Sequence, residues 1–189
     1  MPSLIDLRRR LRAVKSTEQI TKAMKAISAS KLRKAQDRMV SARPFAQLMQ
    51  RVLGDLALQV DSTAHPLLSE SPSPDAPKLL VVVTADKGLC GGFNSTLIRK
   101  ATTVIQEIDS QVVMGLVGRR GRDYFVRRGA DVCFEEVNIF NDLQYSHAQA
   151  MARVAIDQYS QGEVSGVSVI YNEFKSVMQQ EEHTATHLL

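Results

Sequence analysis

From Ser3 to about Val60 the apolar and small residues line up along one side of a helix. Leu32, Ala35, Met39, Ala42, Ala46, Met49, Leu53, Leu56 and Val60 are separated alternately by three and four positions, the spacing of a coiled-coil seam. Leu4, Leu7, Leu11 and Val14 keep the same alternation. The phase slips near Glu18, resumes as Ile20, Met24 and Ile27, and slips again near Lys31, and each slip locally changes the supercoil. After the start the only helix breakers are Pro44 and Gly54. The seam runs through Pro44 in phase, which predicts a kink there rather than a stop, because proline lacks a donor and crowds the carbonyl of Val40. One helix over residues 1–60 would be roughly 85 Å long at about 1.5 Å per residue. That is too long to lie on a domain of this size, so the helix is expected to project and to seek a partner helix.

The pattern changes after Val60. Residues 61–77 hold four of the six prolines and several serines, as a linker or exposed loop does. Short Val-rich runs then alternate with helical stretches. Strands are expected at Leu79–Thr84, Val112–Val117, Val132–Glu136 and Val167–Tyr171. Helices are expected at Ser95–Ile108 with Asn94 or Ser95 as N-cap, at Gly121–Arg128 and at Tyr145–Tyr159. A further strand is expected to begin within Ser176–Leu189. Strand and helix in alternation predict an α/β fold, with an open, mostly parallel sheet over 78–189 covered by helices on both faces.

Composition narrows the function classes. Of 189 residues, 44% are hydrophobic, enough to bury a core, while only 5% are aromatic and none is Trp, which disfavours a base-stacking surface. The net charge of +4 hides an asymmetry: 13 Lys and Arg against 4 Asp and Glu through Val60 give that part +9, and the remainder, with 11 against 16, carries −5. A basic helix of this kind suits an acidic partner, whether protein, lipid or nucleic acid. No run approaches a membrane span, and no secretory signal follows Met1. Cys90 and Cys133 show no metal-ligand spacing, so free thiols are expected.

Candidate chemistry is sparse. The turn Thr84–Asn94, sequence TADKGLCGGFN, stands where a dinucleotide-binding loop would stand, but its GxxGG spacing is neither GxGxxG nor a phosphate loop. Gly118, Arg119 and Arg120 follow the second strand and suit either a 2′-phosphate or a solvated helix start. Cys90 beside Lys87 is either an activated thiol or a small residue in a tight turn. His65, His147, His183 and His187 are scattered, and the His183–His187 pair lacks the glutamate of HExxH. Glu181 and Glu182 are adjacent and face no common pocket. No catalytic, cofactor-binding or metal-binding set is assigned, and three classes remain open: an assembly component, a Rossmann-type NAD(P)-binding protein, and a basic coiled-coil protein that binds nucleic acid.

Two segments carry a resemblance. Residues 19–36, QITKAMKAISASKLRKAQ, and the turn TADKGLCGGFN at 84–94 resemble, in that order, the γ-subunit family of F-type ATP synthases. The likeness runs from Met1 almost to Leu189. It implies a long N-terminal coiled-coil helix followed by a Rossmann-like domain that binds no nucleotide. It also implies a non-catalytic rotor subunit, the central stalk that couples proton-driven rotation to ATP synthesis in a ring of α and β subunits. The implied partners are α, β, the ε subunit and the membrane c-ring, with no nucleic acid, no cofactor and no direct membrane insertion. The implied location is the cytoplasmic side of the bacterial inner membrane, peripheral to it.

Residue by residue, the resemblance implies that Met24 and Lys25 on the helix, and Lys87 and Cys90 in the turn, face an acidic lever segment of β. The basic helix agrees with that, since screened charge attraction tolerates rotation where interlocked packing would not. The family continues with a second long helix beyond the point matching Leu189. The chain is therefore expected to be a fragment, with residues 1–60 as half of an antiparallel coiled coil and 78–189 as an incomplete globular domain. Cys90 and Cys133 do not match the paired cysteines of the plastid version, so no thiol switch is expected.

Overall fold

Ser3 opens the first helix by a reciprocal cap. Its hydroxyl accepts the N–H of Asp6, and the Asp6 carboxylate accepts the N–H of Ser3, both at 3.3 Å, which satisfies two of the donors a helix start leaves unpaired. The computed structural model describes residues 3–61, 64–69, 71, 73–176 and 180–185, the last six by their backbone alone. Helix α1 runs over Leu4–Gln59 and is unbroken at Pro44. It ends where Val60 turns extended and donates its N–H to the Leu56 carbonyl. Near the phase slip at Glu18, the hydroxyls of Thr17 and Thr21 donate back to the carbonyls of Ala13 and Glu18, and Lys22 pairs with Glu18 at 2.8 Å. No residue of α1 is buried. Seam residues Leu53 and Leu56 are 57% and 46% exposed, so packing among the described residues does not account for the heptad pattern.

The chain divides into two compact units, Met1–Val60 and Asp61–Leu189. The second is built on strands β1 (Lys78–Val83), β2 (Val112–Val117), β3 (Val132–Glu136), β4 (Gly166–Phe174) and β5 (Gln180–Ala185). Their order across the sheet is β3-β2-β1-β4-β5, parallel except for β5, which pairs antiparallel with β4 on the edge. The chain leaves β1 toward β2 and β3, then returns to its other side as β4, so the sheet has a topological switch point between β1 and β4.

Alternation along β1 assigns its two faces. Leu79 and Val81 join Val117, Val164, Val167 and the α4 residues Ala155 and Tyr159 (α4, Tyr145–Ser160). Leu80 and Val82 join Met114, Leu116 and Ile170 with Leu97 and Ala101 of α2 (Phe93–Glu107) and Phe125 of α3 (Arg119–Val126). This is the expected sheet with helices on both faces. Burial of some eight apolar side chains on each face supplies the drive to fold, at about 1.5–3 kcal/mol for each large one. Gly115 of β2 gives Phe134 of β3 its place, because a Cβ there would lie 2.4 Å from the ring.

Several local expectations are corrected. Neither Asn94 nor Ser95 caps α2: the helix starts at Phe93 with Gly92 as its cap residue and no side-chain cap bond. Asn94 is diverted into the preceding turn, and Ser95 donates to the Gly92 carbonyl. Helix α3 begins at Arg119, two residues before the expected Gly121, because the carboxylate of Asp86 receives its first amide. Within residues 61–77, Leu67 packs against the α4-side core, and Tyr159 donates its hydroxyl to the Ser69 carbonyl at 2.9 Å. His187 lies outside the described residues, as do the side chains of Glu181, Glu182 and His183.

Candidate functional site

The segment after β1 is a small, internally bonded turn. Asn94 Oδ1 accepts the N–H of Ala85 at 2.9 Å, while its Nδ2 donates to the Lys87 carbonyl at 3.3 Å and approaches the Cys90 sulfur at 3.1 Å. One amide side chain thus bridges both arms of the loop. Leu89 has a φ of 60° and Gly91 one of 58°, both left-handed, a region glycine adopts freely and leucine only at a cost. Lys87, Leu89 and Cys90 are exposed.

Behind the turn, Asp86 ties together the loops that follow three parallel strands. Its Oδ1 accepts the N–H of Arg119 at 3.0 Å and the N–H of Asn138 at 2.8 Å. A carboxylate at the start of α3 is also favoured by the helix dipole. The Arg119 guanidinium donates to Asn138 Oδ1 at 2.9 Å. Thr84, 1% exposed, donates to the Val117 carbonyl at 3.1 Å and accepts the Gly121 N–H at 2.8 Å. Gly118, at φ 90°, runs so close to Thr84 that a Cβ would lie 2.1 Å from its carbonyl oxygen.

This arrangement bears directly on the Arg119–Arg120 pair. The α3 amide that would greet a 2′-phosphate already serves Asp86, whose negative charge repels a second anion, and the Arg119 side chain is spent on Asn138. The Arg120 guanidinium lies against Gly88, with Nη2 2.9 Å from the position of a Cβ there. A shallow depression of about 410 Å³ lies nearby, lined among others by Asn138, Asp142 and His147, but His147 Nδ1 accepts the Gln144 N–H at the start of α4. Among the described residues, no three His, Cys, Asp or Glu side chains are grouped to hold a metal ion.

The four residues singled out in the sequence fall in two places. Met24, 46% exposed, and Lys25 stand on α1. Lys87 and Cys90 share the turn, with the Cys90 sulfur 3.9 Å from the Lys87 carbonyl. Cys90 is exposed, so it does not fill the turn's interior; Asn94 does. Cys133 is half-buried, and burial, then the charges of Glu163 and Asp131, push its thiol above the ordinary value. Sequence reasoning missed Asp86 and Leu89. Asp86 carries no signal of its own, since its partners lie 33 and 52 residues away; for Leu89, a leucine inside a glycine-rich turn was a legible hint.

The chain thus combines a 56-residue helix whose heptad seam is unburied with a doubly wound α/β unit whose crevice loops bond to one another. The chain belongs to the ATP synthase family, whose model matches residues 3–189. It is 44% identical over 181 residues to the ATP synthase gamma chain of Pelotomaculum thermopropionicum and 46% identical over 185 residues to that of Solibacter usitatus. Each match covers 95% of this chain, and 63% and 64% of the respective relative, so the chain spans a little under two thirds of their length. Among solved structures it is similar to a chain of the central stalk and c-ring of the Tetrahymena thermophila mitochondrial ATP synthase. The TM-score is 0.68 and the identity 29%, over 87% of this chain and 70% of that one.

Proposed function

We propose that this chain is the central rotor stalk of an F-type ATP synthase, coupling proton-driven rotation to ATP synthesis in a ring of α and β subunits. The observation that carries the reading is the family match spanning both units, from the heptad helix through the α/β unit. Residues 1–60 form half of the shaft, 61–77 join it to the globular part, and 78–189 form that part. The chain is not itself a catalyst. It acts by presenting different faces to chemically identical catalytic subunits, so that each is stabilised in a different conformation and turning the shaft cycles them.

Met24 and Lys25 on the helix, and Lys87 and Cys90 in the turn, are the proposed contacts with β, supported by their exposure and by the +9 charge of residues 1–60. The ε subunit and the membrane c-ring are the proposed partners of the globular part. The proposed position is peripheral, at the cytoplasmic face of a bacterial inner membrane; among the described residues no helix is long and apolar enough to cross a membrane.

Mixing the chain with purified rings of three α and three β subunits tests the reading. Native mass spectrometry should find one chain per ring, and a probe fixed to the α/β unit should turn in three steps during ATP hydrolysis. No complex at micromolar concentration and low salt would overturn it.

A further inference from the structure

Helix α4 is apolar over more of its surface than the described residues cover. Ala155 and Tyr159, with Met151 beside them, pack on the sheet. Next to that row runs a second one, Tyr145, Ala148, Ala152 and Ile156, at spacings of three, four and four. It is exposed, Tyr145 by 82% and Ile156 by 38%. A helix apolar over this much of its circumference is ordinarily covered by a neighbour, and the two alanines let a facing helix approach to about 8 Å. The segment that holds α4 and the strand and loop before it is acidic. Residues 129–165 contain Asp131, Glu135, Glu136, Asp142, Asp157 and Glu163 against the single cation Arg153, a net of −5.

The first turns of α1 carry the complementary surface. Leu4, Leu7, Leu11 and Val14 form an exposed row of nearly the same length, at spacings of three, four and three, and Arg8, Arg9, Arg10, Arg12 and Lys15 outnumber Asp6 around it, a net of +4. Ile5, Arg8, Arg9 and Arg12 line a depression of about 370 Å³ on the same turns. We infer that two copies of the chain pair reciprocally, the α1 row Leu4–Val14 of each lying on the α4 row Tyr145–Ile156 of the other. Such pairing makes the same contact twice and closes on itself, so it stops at a dimer. The apolar rows leave water together, while carboxylates facing arginines select which surfaces meet. The acidic charge of the α4 segment turns away anionic lipid and nucleic acid and suits a basic, apolar helix face, which α1 supplies. The dimer is a form of the free chain, so the inference stands apart from the rotor reading.

Sedimentation of the full chain over the micromolar range should show a monomer–dimer equilibrium that weakens with salt. Leu11→Glu and Ile156→Glu each place a carboxylate in the contact twice, and each should raise the dissociation constant roughly 100-fold. Ala152→Glu, at an exposed position of the α4 row, should do the same. The decisive measurement mixes the Leu11→Glu chain with the Ile156→Glu chain. Their heterodimer keeps one of its two contacts intact, an unaltered α1 on an unaltered α4, and should form roughly 10-fold more tightly than either homodimer. Pairing of α1 rows with each other gives no such complementation and leaves a dimer in Ile156→Glu and Ala152→Glu; that outcome overturns the inference, as does a monomer at every concentration. If Ile156→Glu lowers the urea midpoint, Ala152→Glu replaces it in the mixture, and lowered midpoints in both would make the α4 row structural and overturn the inference as well.

Discussion

The Oδ1 atom of Asp86 accepts the backbone N–H of Asn138 at 2.8 Å across 52 residues of sequence, and the same atom accepts the N–H of Arg119 at 3.0 Å. One carboxylate oxygen thereby fixes the loops after β1, β2 and β3 against each other at the end of the sheet where a ligand would otherwise bind. Asp86→Ala leaves both amides without this acceptor and should cost about 1–3 kcal/mol. Asp86→Asn keeps a carbonyl acceptor and should cost less. Urea unfolding of the two variants checks the order; equal stability of Asp86→Ala and the parent would mean that water replaces the carboxylate without loss.

Two glycines in the same region should respond in opposite degree to alanine. At Gly118 a Cβ would lie 2.1 Å from the Thr84 carbonyl oxygen, with φ at 90°. The β1 and β2 ends would have to separate, breaking the bonds of Thr84 to Val117 and Gly121. Gly118→Ala should lose several kcal/mol, about 3–5, and accumulate poorly. At Gly91 a Cβ would meet nothing within 4 Å, and φ is 58°. The penalty of Gly91→Ala is the backbone strain alone, about 1 kcal/mol. Thermal unfolding of both proteins should separate them clearly, and similar midpoints would contradict the close approach at Gly118.

Helix α1 buries none of its residues, and isolated helical structure in water draws little stability from propensity alone. Its amides in the free chain should therefore exchange with solvent far faster than those of β1 and β4, where Leu80, Val82 and Ile170 are at most 1% exposed. The difference should shrink when protein concentration is raised, because the exposed seam from Leu32 to Val60 invites self-association. Strong protection of α1 in a dilute monomer would refute this.

How much of this was legible in the sequence follows from the range of each interaction. The three-four spacing from Leu32 to Val60 and the apolar run expected as a strand at Leu79–Thr84 report local patterning, and α1 lies where its pattern puts it while β1, Lys78–Val83, is displaced by one residue. The start of α2 was misplaced because Asn94 is as good a partner for a turn as for a helix end, and only the fold decides that it bridges Ala85 and Lys87. Nothing near Asp86 announces its bonds to Arg119 and Asn138, since that pairing exists only once three strands lie side by side. Strand β5 was expected only as a strand beginning somewhere within Ser176–Leu189; its antiparallel pairing with β4 depends on where the sheet edge lies, which the polar run Gln180–Ala185 does not reveal.

The two cysteines should differ in reactivity in a way that distinguishes the turn from the core. Cys90 is exposed at the turn, whereas Cys133 is half-buried on β3 and packs against the α4-side core. Burial, reinforced by Glu163 and Asp131, raises the Cys133 thiol above its ordinary value, so less of it is the reactive thiolate near neutral pH. Labelling with a disulfide reagent at pH 8 should show a fast phase that disappears in Cys90→Ser and a slow one that disappears in Cys133→Ser. The slow phase should keep accelerating as pH rises past the ordinary thiol value. Stability is linked to the same proton. The folded protein holds it more tightly than the unfolded chain, so the contribution of Cys133 is complete below the ordinary thiol value and is lost as pH rises through the raised one. Cys133→Ser should therefore unfold with a weaker alkaline loss of stability than Cys90→Ser. A single labelling rate shared by both thiols would show that Cys133 is as open to solvent as the turn.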